Sequence, residues 1–404
     1  MQIRLWGVRG STPTPEPRNA RYGGNTSCLE VRLANNSLII LDCGSGMRAL
    51  GKSLQSEFGE QPIQASFFLT HFHWDHIQGI PFFQPLYRRG NKFMFHSVLL
   101  TDSGLRDAIE GQMANPYFPV NMGVMGAERR FTNLDNNPVS VNGATLRSAP
   151  LNHPQGCVGY RIEADGGTFV LATDNEPGSP VHDQALRELA RDADVLVYDA
   201  QYTPEQLTGE KKGWGHSSWL EGVHIAHECG VKSLVLFHHD PDSDDSYIDG
   251  LVMRARQEFP NTWGANEGLT ITIPEGGIAH PIQAGAGERR ADRRYHVELP
   301  LRVTWRDGDG NKREASGLAR SISRTGIYFV VPTAIHATEP LQLELILPNE
   351  ITQRGEMRIK LAARPLRQEL VGDGLREETR GFAVAAALEV THADQAVPLM
   401  SRTL

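Results

Sequence analysis

Paired thiols are missing from this chain. Its four cysteines, Cys28, Cys43, Cys157 and Cys229, stand apart without CxxC spacing. That excludes a disulfide framework and an all-thiolate zinc site, and they read as reduced, mostly buried thiols. Long apolar runs are missing too: nothing approaches a membrane span, and the opening MQIRLWGVRG has no signal-peptide core. A protein with no membrane attachment, working in the cytoplasm, is expected. Nor is there an excess of positive charge. Lys+Arg 40 against Asp+Glu 48 leaves a formal net charge of −8, which excludes a general nucleic-acid binder while permitting a local basic patch. At 404 residues the chain exceeds one ordinary core, and two domains are expected.

What the chain does have is a concentration of histidine. The apolar run Ser66 to Leu69 has the length of a buried strand, and His71-Phe72-His73-Trp74-Asp75-His76 begins where it stops. If the backbone stays extended, His71 and His73 project to one side, and Asp75 and His76 face them from the following turn. A solvated loop does not account for such a density of metal-competent donors. Imidazoles with a carboxylate suit a catalytic zinc site, or manganese or iron in its place.

Elsewhere single polar groups end apolar runs. Asp42 follows Leu38 to Leu41, and either holds a histidine by its free ring nitrogen or caps the helix beginning at Met47. His153 follows the strand Ala144 to Leu151, Asp174 the strand Thr168 to Ala172, and His238-His239 the strand Ser233 to Phe237. His216, in Gly213-Trp214-Gly215-His216-Ser217-Ser218, opens the helix Trp219 to Cys229, where the helix dipole favours a phosphate; Ser217 or Ser218 is its N-cap. The paired glycines of RYGGNTS, residues 21–27, offer backbone N–H groups to a ligand or make a plain tight turn. The Met-, Pro- and aromatic-rich stretch 111–126 reads as a lid over a pocket or as packing between sheet and helix.

HFHWDH matches the HxHxDH motif of the metallo-β-lactamase superfamily, and residues 1–280 resemble that superfamily from end to end. The resemblance implies an α/β fold, the αββα sandwich. It also implies a dinuclear centre with His71, His73 and His153 on one metal, Asp75, His76 and His238 on the other, and Asp174 between them. Asp42 would stand behind the ligands. Two divalent ions are implied, Zn2+ first, with Mn2+ or Fe2+ as alternatives. His238 is chosen over His239 because it directly follows the apolar run. The segments GVRGS, RYGGNTS, GWGHSS and FHHDP resemble the phosphodiesterase and RNase Z-like members. In those terms a bridging hydroxide attacks a small cyclic nucleotide or cyclic phosphate diester, Asp75 belongs to the catalytic centre, and His216 serves the leaving oxygen as proton donor. An RNase Z-like ribonuclease is the alternative, set second because no Gly-Pro-rich basic insertion is present. A homodimer is open.

Pro274 to Gly277 and Ala284 to Gly287 read as a linker. Beyond it, ERRADRR (288–294) and GLARSISRTGIYFV (317–330) resemble the RxxxR and (D/N)xSxxG motifs of the PilZ domain, a receptor for cyclic di-GMP. The resemblance implies a small β-barrel over residues 288–404. Its dinucleotide site would use Arg289, Arg290, Arg294, Ser321, Ser323 and Gly326, the last three in a turn between strands. Ser321 stands where Asp or Asn is expected, which removes a partner for a guanine edge. A third reading follows, a cyclic di-GMP-sensing binding protein whose hydrolase domain is a partner surface.

Overall fold

The computed structural model describes residues 1–134, 138–273, 280–283, 294–323, 326–337, 339–347, 357–371 and 381–389. It divides into two compact units, Met1–Ala286 and Gly287–Leu404.

In the first unit, strands β1 (Gln2–Gly7), β2 (Cys28–Arg32), β3 (Leu38–Leu41), β4 (Gln64–Phe68), β5 (Lys92–Ser97) and β6 (Glu128–Asn133) belong to one sheet. The next seven, β7 (Val139–Val141), β8 (Ala144–Leu151), β9 (Cys157–Ala164), β10 (Gly167–Ala172), β11 (Val195–Asp199), β12 (Ser233–Phe237) and β13 (Thr262–Gly264), form the second. The chain then returns through β14 (Leu269–Thr272) and β15 (His280–Gln283) to the first sheet, whose order is β15-β14-β1-β2-β3-β4-β5-β6. From β3 to β6, and from β10 to β13, the strands run parallel, so their C-terminal ends share one edge of each sheet.

Strand pleating explains the layers. In β3, Ile39 and Leu41 enter the core between the sheets while Leu38 and Ile40 face a second core. In β11 and β12, Val195, Val197, Val235 and Phe237 point inward, and Leu196, Tyr198, Leu234 and Leu236 outward. Strands apolar on both faces need covering on both, and helices supply it. Leu50 and Leu54 of α1 (Met47–Phe58), with Leu105 and Ile109 of the later Asp102–Gly111 helix, cover the first sheet. Helices Pro180–Ala190, Trp219–Glu228 and Asp245–Glu258 cover the second. The result is the αββα sandwich that the resemblance implies.

One boundary moves, and two open alternatives close. Residues 280–283, placed beyond the linker start, pair antiparallel with β14, so the first unit continues past Thr272. The stretch 111–126 buries Met113, Met122 and Met125 in the core under α1, which is packing between sheet and helix. The RYGGNTS loop is a tight turn: the N–H groups of Gly23, Asn25 and Thr26 bond to Asn19 O, Glu267 Oε1 and Ser45 Oγ, so these donors are not free for a ligand.

In the second unit, β16 (Arg294–Arg306), β17 (Lys312–Ser323), β18 (Gly326–Val331), β19 (Leu341–Leu347), β20 (Met357–Val371) and β21 (Gly381–Glu389) close a six-stranded barrel in the order β16-β17-β18-β21-β20-β19. Its core takes alternate residues, Leu299, Leu301, Val303 and Trp305 from β16 and Leu341, Leu343 and Leu345 from β19. Ser321 and Ser323 lie on β17 and Gly326 begins β18, rather than all three sharing a turn. Arg294 and Ser323 are register partners. Arg289 and Arg290 lie outside the described residues.

Candidate metal centre

The strand ends of the two sheets meet over one cluster. His71, His73, Asp75 and His76 come from the first sheet, the last two on the short helix Trp74–Ile77. His153, Asp174, His216 and His238 come from the second. Three of the turns into the cluster need left-handed backbone: Asp42, Asp174 and His238 have φ of 59°, 58° and 59°. Such φ values at non-glycine residues are unfavourable and persist where the surroundings fix them.

The inward-facing atoms lie close together. His71, His73 and His153 form one donor group and Asp75, His76 and His238 a second, the donors of each lying within 4.8 Å of one another. Asp174 stands between them, Oδ1 at 3.7 Å from His71 Nε2 and 3.8 Å from His153 Nε2, Oδ2 at 3.3 Å from His76 Nε2 and 3.4 Å from His238 Nε2. Asp75 Oδ2 lies 3.2 Å from His76 Nε2 and accepts the Ser11 N–H at 2.7 Å.

Each outward nitrogen meets an oxygen that can accept its proton. His76 Nδ1 has Asp42 Oδ2 at 2.8 Å, His153 Nδ1 has Gly215 O at 2.7 Å, and His238 Nδ1 has Gln201 Oε1 at 3.0 Å. His71 Nδ1 has Thr70 Oγ1 at 3.1 Å and His73 Nε2 has Gln155 Oε1 at 3.2 Å. With the protons held outside, the lone pairs point inward, the tautomers that metal ligation requires. Inside, His76 Nε2 faces His238 Nε2 at 3.3 Å and His153 Nε2 faces His73 Nδ1 at 3.1 Å. The buried His71 Nε2 has no hydrogen-bond partner. Opposed lone pairs and an orphaned buried acceptor are unfavourable without a cation, so the donor set fits divalent ions.

The charges agree. Burial pushes the His71 pKa well below its ordinary value, with His76 adding to the effect. Burial opposes the charge on His76 as well, yet Asp75, Asp174 and Asp42 raise it well above the ordinary histidine value. Asp174 is buried, and its histidine neighbours hold its carboxyl well below the usual range against that burial.

Two glycines are close-approach requirements. A Cβ at Gly10 would stand 2.5 Å from the His238 ring, and one at Gly215, already at φ +85°, would stand 2.3 Å from His153 Nδ1. These contacts tie GVRGS and GWGHSS to the cluster. His239 points elsewhere: Nε2 donates to Ala265 O at 2.8 Å, and burial with the nearby Arg9 charge lowers its pKa to about 3. Of the two histidines, only His238 enters the cluster.

Asp42 accepts from Ser27 Oγ, Thr70 N and Thr70 Oγ1 at 2.9–3.0 Å besides His76, so it braces the histidine rather than capping α1. The sequence reading missed its counterpart, Asp199. This residue ends β11, accepts the Asp174 N–H at 3.0 Å, and holds His216 Nδ1 at 3.0 Å. Burial disfavours charge on His216, but the Asp199 charge outweighs it and raises the His216 pKa to about 9. An acid closing the apolar run VLVYD was the available signal. Gln201, Thr70 and Gln155 carried none, because each is recognised only by the ring it touches. Ser218, not Ser217, caps the following helix.

The description β-lactamase superfamily domain matches residues 38–239, and the chain belongs to that superfamily. Fold and donor cluster define its class, a metal-dependent hydrolase. A ribonuclease Z of Lachnospira eligens is 24% identical over 323 residues, covering 68% of this chain and 98% of that protein. Zn2+-bound PqqB from Methylobacterium extorquens shares the fold with a TM-score of 0.51 at 17% identity, over 68% of this chain and 100% of that one. The metallo-β-lactamase fold protein YhfI from Bacillus subtilis does so with a TM-score of 0.50 at 19% identity, over 67% and 97%. No described helix is long and apolar enough to cross a membrane.

Proposed function

We propose that the first unit hydrolyses phosphodiesters at this cluster, with a small cyclic nucleotide or cyclic phosphate diester as the first substrate. His71, His73 and His153 would hold one divalent ion, Zn2+ first, and Asp75, His76 and His238 the other, with Asp174 reaching both. Such ions supply an activated water and neutralise charge on the phosphoryl oxygens. Asp42, Thr70, Gln155, Gln201 and Gly215 fix ring orientation. The observation that carries the reading is the pair His216–Asp199 beside Asp174: an imidazole with Nδ1 committed to a buried carboxylate leaves Nε2 to carry and release a proton. That proton suits the alkoxide leaving group of a phosphodiester.

The ribonuclease Z name attached to a relative matched over nearly its whole length favours RNA as a second reading. The small substrate keeps first place because the sequence carries no Gly-Pro-rich basic insertion long enough to hold a folded RNA. For the second unit, the adjacency of Arg294 and Ser323 supports a PilZ-like cyclic di-GMP site that tunes the hydrolase, with Ser321 as the departure.

Metal analysis together with hydrolysis of bis-p-nitrophenyl phosphate, with and without cyclic di-GMP, tests the whole reading. About two metals per chain and turnover establish the phosphodiesterase. Metal without turnover of any phosphodiester removes it. Titration calorimetry in which the parent binds no cyclic di-GMP, or binds it no better than Arg290→Ala does, removes the tuning and the sensor reading with it.

A further inference from the structure

A second concave site lies on the outer side of the first sheet, between α1 and the segment that follows the histidine motif. It is a groove of about 690 Å³, within the range of ligand sites. In a chain with net charge −8, none of the side chains lining it is a carboxylate. Arg48 and Lys52 stand one helical turn apart on the exposed side of α1, followed by Gln55. Neither Arg48 nor Lys52 has an ion pair among the described residues.

The facing wall is aromatic. Phe82 is 54% exposed, although its neighbour Phe83 is fully buried. Phe118 meets it edge-on at 5.9 Å, and Tyr87, 38% exposed, is anchored by its hydroxyl to Pro81 O at 2.8 Å. Arg88 bonds the carbonyls of Gly59 and Glu60, which fixes the floor. Exposed rings thus stand beside two cations, Arg48 and Lys52, that have no ion pair among the described residues. They match a ligand with flat faces and regularly spaced negative charge: bases stack on the rings and phosphates meet the cations.

The groove adjoins the cluster along the chain. Phe82 is six residues beyond His76 and Arg48 six beyond Asp42, a reach of at most about 20 Å. We infer that the groove binds bases and phosphates of a short single-stranded oligonucleotide whose scissile diester lies at the cluster. This rests on the phosphodiesterase reading and extends its substrate from small cyclic diesters to short linear oligonucleotides, which need more than a mononucleotide pocket, yet no arm for a folded RNA.

Anisotropy of a fluorescein-labelled single-stranded RNA dodecamer, titrated with the full chain, tests it. Arg48→Ala/Lys52→Ala is expected to weaken binding at least tenfold and to flatten the slope of log K against log salt by about 1.4, two phosphate contacts at ~0.7 each. Phe82→Ala is expected to weaken it about tenfold with the slope unchanged. Both variants should hydrolyse bis-p-nitrophenyl phosphate within about twofold of the parent, which shows that fold and metal centre are intact. A parent chain that does not bind the dodecamer overturns the inference, as does a double variant with parental affinity and slope. Groove-dependent binding by a protein that hydrolyses no phosphodiester leaves the groove standing and removes the proposed reaction.

Discussion

The two sheets build the same centre in different ways. The first delivers four donors within six residues, His71 to His76, braced by one carboxylate, Asp42. The second delivers His153, Asp174, His216 and His238 singly, from the ends of alternate strands, β8, β10 and β12, and a loop, with Asp199 as the brace. A contiguous motif is held by its own turn, whereas scattered donors depend on parallel strands ending at one level. The second half of the site is therefore a property of the sheet.

Asp174 is where the halves meet, and removing it should break the comparison most completely. Asp174→Ala is expected to lower bis-p-nitrophenyl phosphate hydrolysis at least a thousandfold and to reduce metal content below two per chain; chelation of the parent should do the same. Unchanged turnover with either treatment would separate the chemistry from this cluster. Next come the braces. Asp42→Ala strands His76 Nδ1, Thr70 and Ser27, and should cost about 3 kcal/mol of stability and roughly 10–100-fold in metal affinity, read by thermal melting and competitive chelation. Asp199→Asn should lower kcat by a similar 10–100-fold with metal retained, since it acts on His216.

The adjacent histidines sharpen the contrast further. His238→Ala should lose one metal. His239→Ala should keep both and lose only about 1–3 kcal/mol, the worth of its buried bond to Ala265 O. The smallest effect is electrostatic. In metal-free protein, His216 is raised to about 9 and His76 is also raised. Each contributes stability that is complete below the unfolded value near 6.5 and is lost as pH rises through the folded value. Melting temperature of the apo protein should therefore fall between pH 7 and 10, and fall less in Asp199→Asn.

Legibility followed the same division. HFHWDH announced itself because six consecutive residues carried the chemistry, and Asp42, His153, Asp174 and His238 because each closed an apolar run. Asp199 closed one too and was passed over, since an acid after VLVY resembles any strand end until His216 is seen beside it. The fold showed through pleating: alternation in β3, β11 and β12 predicts burial on two faces. Less regular stretches were less legible: 111–126 stayed open between lid and packing because its three methionines face a core that no local period announces, and the strand at 280–283 exists only by pairing with β14.

The sequence by itself determined the donor types, the strands that carry them and the places where those strands stop, because these depend on residue chemistry and local periodicity. Tertiary structure decided which nitrogen of each ring faces inward, which of two neighbouring histidines enters the site, and which carboxylate braces which imidazole. It also brought α1 and the segment after His76 to opposite sides of one groove. Those outcomes depend on contacts between segments tens to hundreds of residues apart, and only a packed chain brings such segments within hydrogen-bonding distance.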